Sequence, residues 1–418
     1  MPDSRTTWMK AVPKEWRVTT IGSLYTLRNE KVSDKDYPPL SVTMKGIVPQ
    51  LESAAKTEDG DNRKLVRIGD FAINSRSDRR GSCGISAYDG SVSLINTVLV
   101  PREKMHPGYY NWLFHSSAFS DEFYKWGHGI VDDLWTTRWQ EMKRIVVPVP
   151  SMPEQEAIAT FLDERCSLID DTIAEAKASI EEYKMWKASM IYNAVTKGVD
   201  KDIVTKDSDS EWLGRVSQNS SISRVARHFQ IILGKMLCSS PNNDHYTLEP
   251  YYCAANVHFD GISAKPLKTM WFSPEEKNTY LVKAGDLLVV EGGAGAGGCA
   301  IVCSLPDRIY VQNSIMIVRS EKQNQVRYLR YLLEALVKRG YVDFVCNKAT
   351  IPHFTKEKLG NMPFPLFSDE EAGAIADYLD DHVDQIDSLI AEKQTLITNQ
   401  FDQHGHQDSQ QLHQPLHH

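Results

Sequence analysis

An arginine-rich segment offers the clearest chemistry in this sequence. Arg76-Ser77-Asp78-Arg79-Arg80-Gly81 combines three guanidinium groups with small, flexible neighbours. An arginine fork can bind a guanine edge through two hydrogen bonds or hold a phosphate, and a loop containing glycine and serine can bring it into a DNA groove. The segment therefore predicts a DNA-contacting loop, with a solvated basic loop as the alternative.

Two further polar segments each precede a Pro-x-Pro sequence. They run from Gly127 to Arg138 and from Asn347 to His353. Their basic side chains are candidate DNA contacts, whereas their apolar neighbours are expected to pack inside the domain. Lysines elsewhere are weaker candidates because surface lysines usually contact only water. The complete predicted DNA-binding set is Arg76, Arg79, Arg80, Lys45, Arg138, Lys265, Lys268 and Lys348.

A glycine-rich run, 293–298, fits the GxGxxG pattern of dinucleotide-binding loops. That pattern requires a helix to follow, but Cys299 to Cys303 has the composition of a strand. We therefore expect a hairpin or a DNA-approaching loop, where glycine permits close backbone contact. Glu291, next to this run, is interpreted as a solvated or structural acid in preference to a nuclease metal ligand.

The sequence indicates neither catalytic residues nor a metal site. It contains no GxxxxGK[ST] motif for ATP hydrolysis and no Asn/Asp-Pro-Pro-aromatic motif for amino-methyl transfer. Seven cysteines lack CxxC spacing, so reduced thiols are expected in place of disulfides or zinc. Cys299 and Cys303 have no nearby residues to complete four metal ligands.

Length and charge distribution point to a modular protein. A chain of 418 residues is long enough for two or three domains. Net charge is +3 over residues 1–150 and +4 over 201–367, but −5 over 151–200 and −10 over 368–418. The two mildly basic blocks are candidates to face phosphate. A cytoplasmic location is expected because no stretch of about 18 to 20 apolar residues occurs and 1–16 lacks an apolar signal core.

The chain also contains an internal repeat with a period near 216 residues. The five matching segments occur in the same order in both halves, which chance does not explain. Ile68-Gly69-Asp70-Phe71 matches Ala284-Gly285-Asp286-Leu287, Asn96-Thr97 matches Asn313-Ser314, and Ala157-Ile158-Ala159 matches Ala374-Ile375-Ala376.

Each repeat combines short β-type runs with helices, which predicts an α+β domain followed by a long helix. Residues 153–197 contain no Pro or Gly, and their apolar residues recur at spacings of three and four, as in a helix packed against another helix. We expect the two long helices to form an antiparallel coiled coil in a pseudo-twofold molecule. The predicted contact residues are Ile158, Leu162, Ile169, Ile173, Ile180, Ile375, Leu379, Val383, Ile386 and Ile390.

These features resemble the specificity subunits of type I restriction-modification systems, over about residues 8 to 400. The resemblance is carried by the ordered duplication, the Pro-x-Pro junction with the long helix, Trp16-Arg17-Val18, Leu40 to Gly46 and Glu211-Trp212-Leu213-Gly214. It implies two target-recognition domains, each reading half of a bipartite DNA site, at 1–150 and 201–367. It also implies a central long helix at 151–200 and a distal one at 368–400.

The resemblance further implies a non-catalytic subunit with partner proteins. Two methyltransferase subunits would dock on the helices and restriction subunits would join them. S-adenosylmethionine, ATP and Mg²⁺ would belong to those partners, with no cofactor in this chain. The alternatives are a single-chain restriction-methylation enzyme and a repeat scaffold that binds protein. Residues 401–418 depart from the repeat as a polar tail rich in His and Gln, expected to be disordered.

Overall fold

A computed structural model describes residues 8–9, 12–50, 60–76, 79–129, 135–200, 202–263, 266–304, 307–346 and 352–404. The chain divides into two compact units. Unit 1 contains Met1–Ala176 and the segment that begins at Thr395, and unit 2 contains Lys177–Gln394. Both units mix helices and strands, which confirms the α+β class expected from the sequence.

Unit 1 contains eleven described strands, four short helices and the start of a long helix. The strands are β1 (Arg17–Thr20), β2 (Tyr25–Arg28), β3 (Lys31–Val32), β4 (Leu40–Thr43), β5 (Gly46–Pro49), β6 (Arg63–Val66), β7 (Phe71–Asn74), β8 (Cys83–Ile85), β9 (Gly90–Val92), β10 (Asn96–Pro101) and β11 (Val146–Val149). The helices are α1 (Ile21–Leu24), α2 (Pro107–His115), α3 (Ser117–Lys125), α4 (Trp139–Met142) and α5 (Met152–Lys197).

The main sheet of unit 1 has the order β2-β10-β7-β8, and its neighbouring strands are antiparallel. β1 pairs with β11, so the start of the domain lies beside its end. Smaller sheets join β3, β6 and β9, and β4 with β5. Helices α2 and α3 cover the core with packed aromatic rings, including Tyr110, Phe114 and Phe119 against Tyr25 and Phe71.

Unit 2 repeats this plan after α5. Its strands are β12 (Thr205–Asp207), β13 (Arg215–Ser217), β14 (Ser221–Arg224), β15 (Gln230–Leu233), β16 (Thr247–Tyr252), β17 (Val257–His258), β18 (Gly261–Ile262), β19 (Lys268–Phe272), β20 (Leu287–Val290), β21 (Cys299–Ile301), β22 (Tyr310–Val311), β23 (Ile315–Arg319) and β24 (Pro363–Leu366). Its helices are α6 (Pro274–Tyr280), α7 (Gln323–Lys338), α8 (Tyr341–Val345), α9 (Lys356–Asn361) and α10 (Asp369–His404).

The main sheet of unit 2 has the order β15-β23-β20-β21, which matches the sheet of unit 1 strand for strand. β14 pairs with β24 as β1 pairs with β11. Additional strands form the sheets β19-β16-β22, β17-β18 and β12-β13. The internal repeat predicted from the sequence therefore corresponds to a repeated topology.

The repeated Gly-Asp motif forms the same tight turn in both units. Gly69 and Gly285 have positive φ angles of 88° and 87°, a region that favours glycine. The Asp70 carboxylate accepts the Arg67 N–H at 2.8 Å, and the Asp286 carboxylate accepts the Lys283 N–H at 2.7 Å. Each turn leads directly into a buried central strand, β7 or β20.

The two long helices connect the repeats. Helix α5 has 46 residues, about 70 Å of helix at 1.5 Å per residue, and ends at Gly198, whose φ is +88°. It begins in unit 1 and ends in unit 2, whereas the 36-residue α10 begins in unit 2 and continues into unit 1. The helices therefore run in opposite directions, as the predicted coiled coil requires.

The predicted helix-contact residues differ in burial. Ile173, Ile180, Ile375, Leu379, Val383 and Ile386 are buried, and Ile390 packs half-buried against the core of unit 2. Ile158, Leu162 and Ile169 are half-buried. Ile158 packs against the aromatic core of unit 1, so the first turns of α5 are covered by the domain that precedes them. Within unit 2, α5 and α10 are joined by Lys187 Nζ and Asp387 Oδ2, 2.6 Å apart.

The shorter predicted helices are each divided in two. The sequence predicts one helix over 109–126 and another over 325–346, but α2 ends before Ser116 and α7 ends before Gly340. Ser116 adopts an extended conformation and its hydroxyl accepts the Phe119 N–H, so it begins α3. Gly340 has a φ of +88°, which interrupts the second helix before α8.

Two expectations concern the ends and the surface of the chain. The predicted tail, 401–418, lies outside the described residues from 405 onward, and α10 continues to His404. In the ranges given above, no helix combines the length and apolar character needed to cross a membrane.

Candidate nucleic-acid interface

In unit 1 the two predicted DNA-contacting loops lie side by side. The Thr137 N–H donates to the Ser75 carbonyl at 3.0 Å, and Arg76 forms a backbone bridge with Thr136. Thr136 is also paired with His128 through two backbone hydrogen bonds of 3.0 and 3.1 Å. The arginine loop after β7 and the loop before α4 therefore form one surface, which we call the unit 1 loop junction (residues 75–81 and 127–138).

The arginines of this junction have different environments. Arg80 pairs with Asp121, and its guanidinium carbon lies 4.8 Å from the centre of the Tyr124 ring. Arg76, Arg79 and Arg138 are exposed, and no side-chain partner of theirs is found among the described residues. Ser77 and Asp78 lie outside the described residues. Arg80 is thus held on α3, whereas the other three guanidinium groups face solution.

The same two loops meet in unit 2. The Phe354 N–H donates to the Glu291 carbonyl at 2.6 Å, and the Gly293 N–H donates to the Pro352 carbonyl at 3.2 Å. Gly292 bridges His353 as Arg76 bridges Thr136. The contacts in the two units therefore connect equivalent positions of the repeat. We call this surface the unit 2 loop junction (residues 291–298 and 352–354).

The glycine-rich run lies in a hairpin. β20 and β21 are antiparallel, with Val289 opposite Cys299, so a strand follows the glycines as expected. Gly297 has a φ of +85°, and its N–H donates to the Val290 carbonyl at 2.9 Å. A dinucleotide site would need a helix N-terminus at this place. The run closes a sheet turn beside the loop before α9.

The predicted lysines are scattered. Lys45 is exposed in the β4–β5 turn, and this turn lies against β8, because a Cβ on Gly84 would be 2.9 Å from the Gly46 Cα. Lys45 is therefore near the end of the arginine loop. Lys268 is exposed at the start of β19, opposite Tyr251, and no contact connects it with the unit 2 loop junction. Lys265 and Lys348 lie outside the described residues.

Sequence reasoning missed three contributors to these junctions. Asp121 and Tyr124 hold Arg80 from α3, and His353 contacts Glu291, with Nδ1 3.3 Å from Oε2. Only the repeat register, which aligns His353 with Thr136, gave a signal for the last. Among the described residues no group of three or more His, Cys, Asp or Glu side chains is arranged to hold a metal ion. All seven cysteines are free.

Comparison with known proteins connects these junctions to a family. Residues 229–399, which include the unit 2 loop junction and most of α10, match the family model of the type I restriction modification DNA specificity domain. This segment belongs to that family. The resemblance to type I specificity subunits drawn from the sequence is therefore confirmed.

Relatives of the specificity domain extend the likeness over most of the chain. A Methanocaldococcus jannaschii protein, described as the type I restriction enzyme MjaX specificity subunit, is 22% identical over 378 residues, covering 88% of this chain and 82% of its own. A solved chain from work on assembly and conformational transition of the type I R-M system has a TM-score of 0.67 at 14% identity, covering 94% and 96%. The HsdS subunit from Thermoanaerobacter tengcongensis has a TM-score of 0.55 at 16% identity, covering 94% and 97%. The two structures share the fold.

Proposed function

We propose that this chain is the DNA sequence-specificity subunit of a type I restriction-modification complex and that its two units each read one half of a bipartite target. The observation that carries the proposal is the duplicated loop junction. Ser75 with Thr137 and Glu291 with Phe354 join equivalent loops at the same end of equivalent sheets. Such loops, mounted on a rigid sheet, are well placed to enter a DNA groove.

The difference between the junctions supports two different half-sites. Unit 1 presents exposed Arg76 and Arg79, whereas the equivalent segment of unit 2 presents Glu291 and glycines. Because guanidinium and carboxylate groups recognise opposite hydrogen-bonding patterns on base edges, the two units select different bases. The basic surface supplies affinity that falls as salt rises.

The long helices provide the proposed docking surface for partner proteins. Phe161, Leu168, Met185 and Trp186 on α5 are more than half exposed, which is unusual for large apolar residues on a helix already packed along another face. We propose that two methyltransferase subunits cover such residues and that restriction subunits join them. Catalysis, S-adenosylmethionine, ATP and Mg²⁺ belong to these cytoplasmic partners.

The decisive experiment co-expresses the chain with its methyltransferase subunits and maps the methylated motif across the host genome, with a strain lacking this chain as the control. A two-part motif that disappears without the chain is the expected result. Binding to duplexes whose unread spacer is lengthened or shortened by one base pair should then weaken sharply. Methylation without a defined motif, or indifference to spacer length, contradicts the proposal.

The two alternatives predict different results. A single-chain restriction-methylation enzyme would bind S-adenosylmethionine without partners, which calorimetry with the purified chain measures. A scaffold that binds only protein would leave duplex DNA unshifted in an electrophoretic assay. The proposed specificity subunit shifts DNA and does not bind S-adenosylmethionine.

A further inference from the structure

Glu291 occupies a fixed position where the two loops of unit 2 meet. It directly follows β20, and its N–H donates to the Ser314 carbonyl at 2.8 Å. Its own carbonyl accepts the Phe354 N–H at 2.6 Å. Both backbone groups are thus engaged, so the side chain projects from a rigid point of the sheet edge.

The Glu291 carboxylate is held by one oxygen and open at the other. Oε2 lies 3.3 Å from His353 Nδ1, and the two side chains are 17% and 60% exposed. No partner of Oε1 is found within the described residues, and this atom is not among the buried unpaired ones. The carboxylate therefore has one anchored acceptor and one acceptor available to a ligand.

The surroundings leave a path to this carboxylate. Gly292 and Gly293 follow it, Gly293 has a φ of +89°, and a Cβ placed there would meet nothing within 4 Å. At the same sheet edge, Met236 and Leu237 are 76% and 63% exposed. They follow Lys235, whose backbone is paired with Val311 and Asn313.

These contacts suggest what Glu291 does, given the proposed function on which this inference rests. We infer that Glu291 reads the exocyclic amino group of a cytosine in the half-site bound by unit 2 and that His353 is its positioning residue. A carboxylate only accepts hydrogen bonds, so it is repelled by phosphate and cannot pair with guanine O6 and N7 or thymine O4. Cytosine N4 is a donor, whereas adenine places the acceptor N7 beside its amino group.

The equivalent position of unit 1 supports this assignment by contrast. There the residue after the central strand is Ser75, whose hydroxyl donates to the Ile95 carbonyl, and the next residue is Arg76. The same place in the fold thus carries an acceptor in unit 2 and a donor in unit 1. A guanine-reading and a cytosine-reading junction would give the two halves of the target different sequences.

The test uses the complete complex with methyltransferase subunits and duplexes that carry the methylated motif. E291A is expected to bind the cognate duplex about tenfold more weakly and to lose discrimination at one C·G pair. E291Q has the same size but both donates and accepts, so it should shift preference at that pair towards adenine. E321Q, at an exposed acid beyond the opposite end of β23, is the matched control and should behave as wild type.

A second pair of variants tests the role of His353. H353A should reduce discrimination at the same base pair, and H353Q, which keeps a donor, should restore part of it. Affinity for non-cognate duplexes and assembly with the methyltransferase subunits report whether each variant is folded. If wild type discriminates and both Glu291 variants keep its motif and affinity, this inference is wrong while the proposed function stands. If wild type itself has no defined motif, the proposed function is wrong.

Discussion

Arg319 holds Asp286 through two hydrogen bonds, 2.6 Å from Nε to Oδ1 and 2.7 Å from Nη2 to Oδ2. Asp286 is the residue that closes the tight turn before β20, so this ion pair attaches the turn to the end of β23. In unit 1 Arg28 holds Asp70 in the same way, at 2.7 and 3.1 Å, and this hydrogen bonding raises the pKa of the Arg28 guanidinium. The repeat has kept the pair but supplies the arginine from a different strand.

Breaking this pair should destabilise the fold. D286N removes the charge from a carboxylate whose side chain is 5% exposed and leaves Arg319 without its partner. We expect a loss of about 3 kcal/mol in the free energy of unfolding, measured by urea denaturation. D307N, at an exposed acid, is the control and should stay within about 0.5 kcal/mol of wild type. Equal stability of the two variants would show that the turn does not need the pair.

Removing an exposed arginine from the unit 1 loop junction should weaken DNA recognition without affecting stability. R76A is expected to reduce affinity for the methylated-motif duplex by about 1–3 kcal/mol and to relax the sequence at one base pair. Fluorescence anisotropy titrations at several salt concentrations measure both affinity and its salt dependence. R67A, at an exposed arginine at the other end of β7, should bind as wild type. A uniform loss for cognate and random duplexes would instead assign Arg76 to a phosphate.

The cysteines should differ in their reaction with alkylating agents. Burial raises the pKa of the Cys299 thiol to about 12, so at pH 8 it stays protonated and unreactive. Burial also raises the pKa of Cys83, whereas Cys303 is exposed. Treatment with iodoacetamide at pH 8 followed by peptide mass spectrometry should find Cys303 modified first. Cys299 and Cys83 should react only after unfolding; early labelling of either would contradict their burial.

The contact between the long helices in unit 2 should depend on apolar packing more than on its ion pair. Leu379 is fully buried, so L379A should cost about 2–5 kcal/mol in the free energy of unfolding. Asp387 is 51% exposed beside Lys187, so D387N should cost less than about 1 kcal/mol. Urea denaturation of both variants provides the comparison. A larger effect for D387N than for L379A would reverse this order of contributions.

Much of this architecture follows from sequence because its signals are local or repeated. Pro153 and Gly198 mark the ends of α5, and the Gly-Asp turn is recognisable in both copies. The contact between Ser75 and Thr137 is not local, because it joins residues about 60 positions apart and depends on strand order. Periodicity likewise could not distinguish Ile158, which packs on a domain core, from Ile386, which packs within the second unit. Both are apolar residues at helical spacing.

The assignment of the segment from Thr395 to unit 1 affects the order in which the molecule can be completed. A ribosome makes the bulk of unit 1 first, then all of unit 2, and only afterwards the residues that return to unit 1. The first domain must therefore wait on the nascent chain with part of α5 uncovered until translation of the second has finished. A cell that makes this protein has a period of synthesis in which that helix surface is open to chaperones or to early-binding partner proteins.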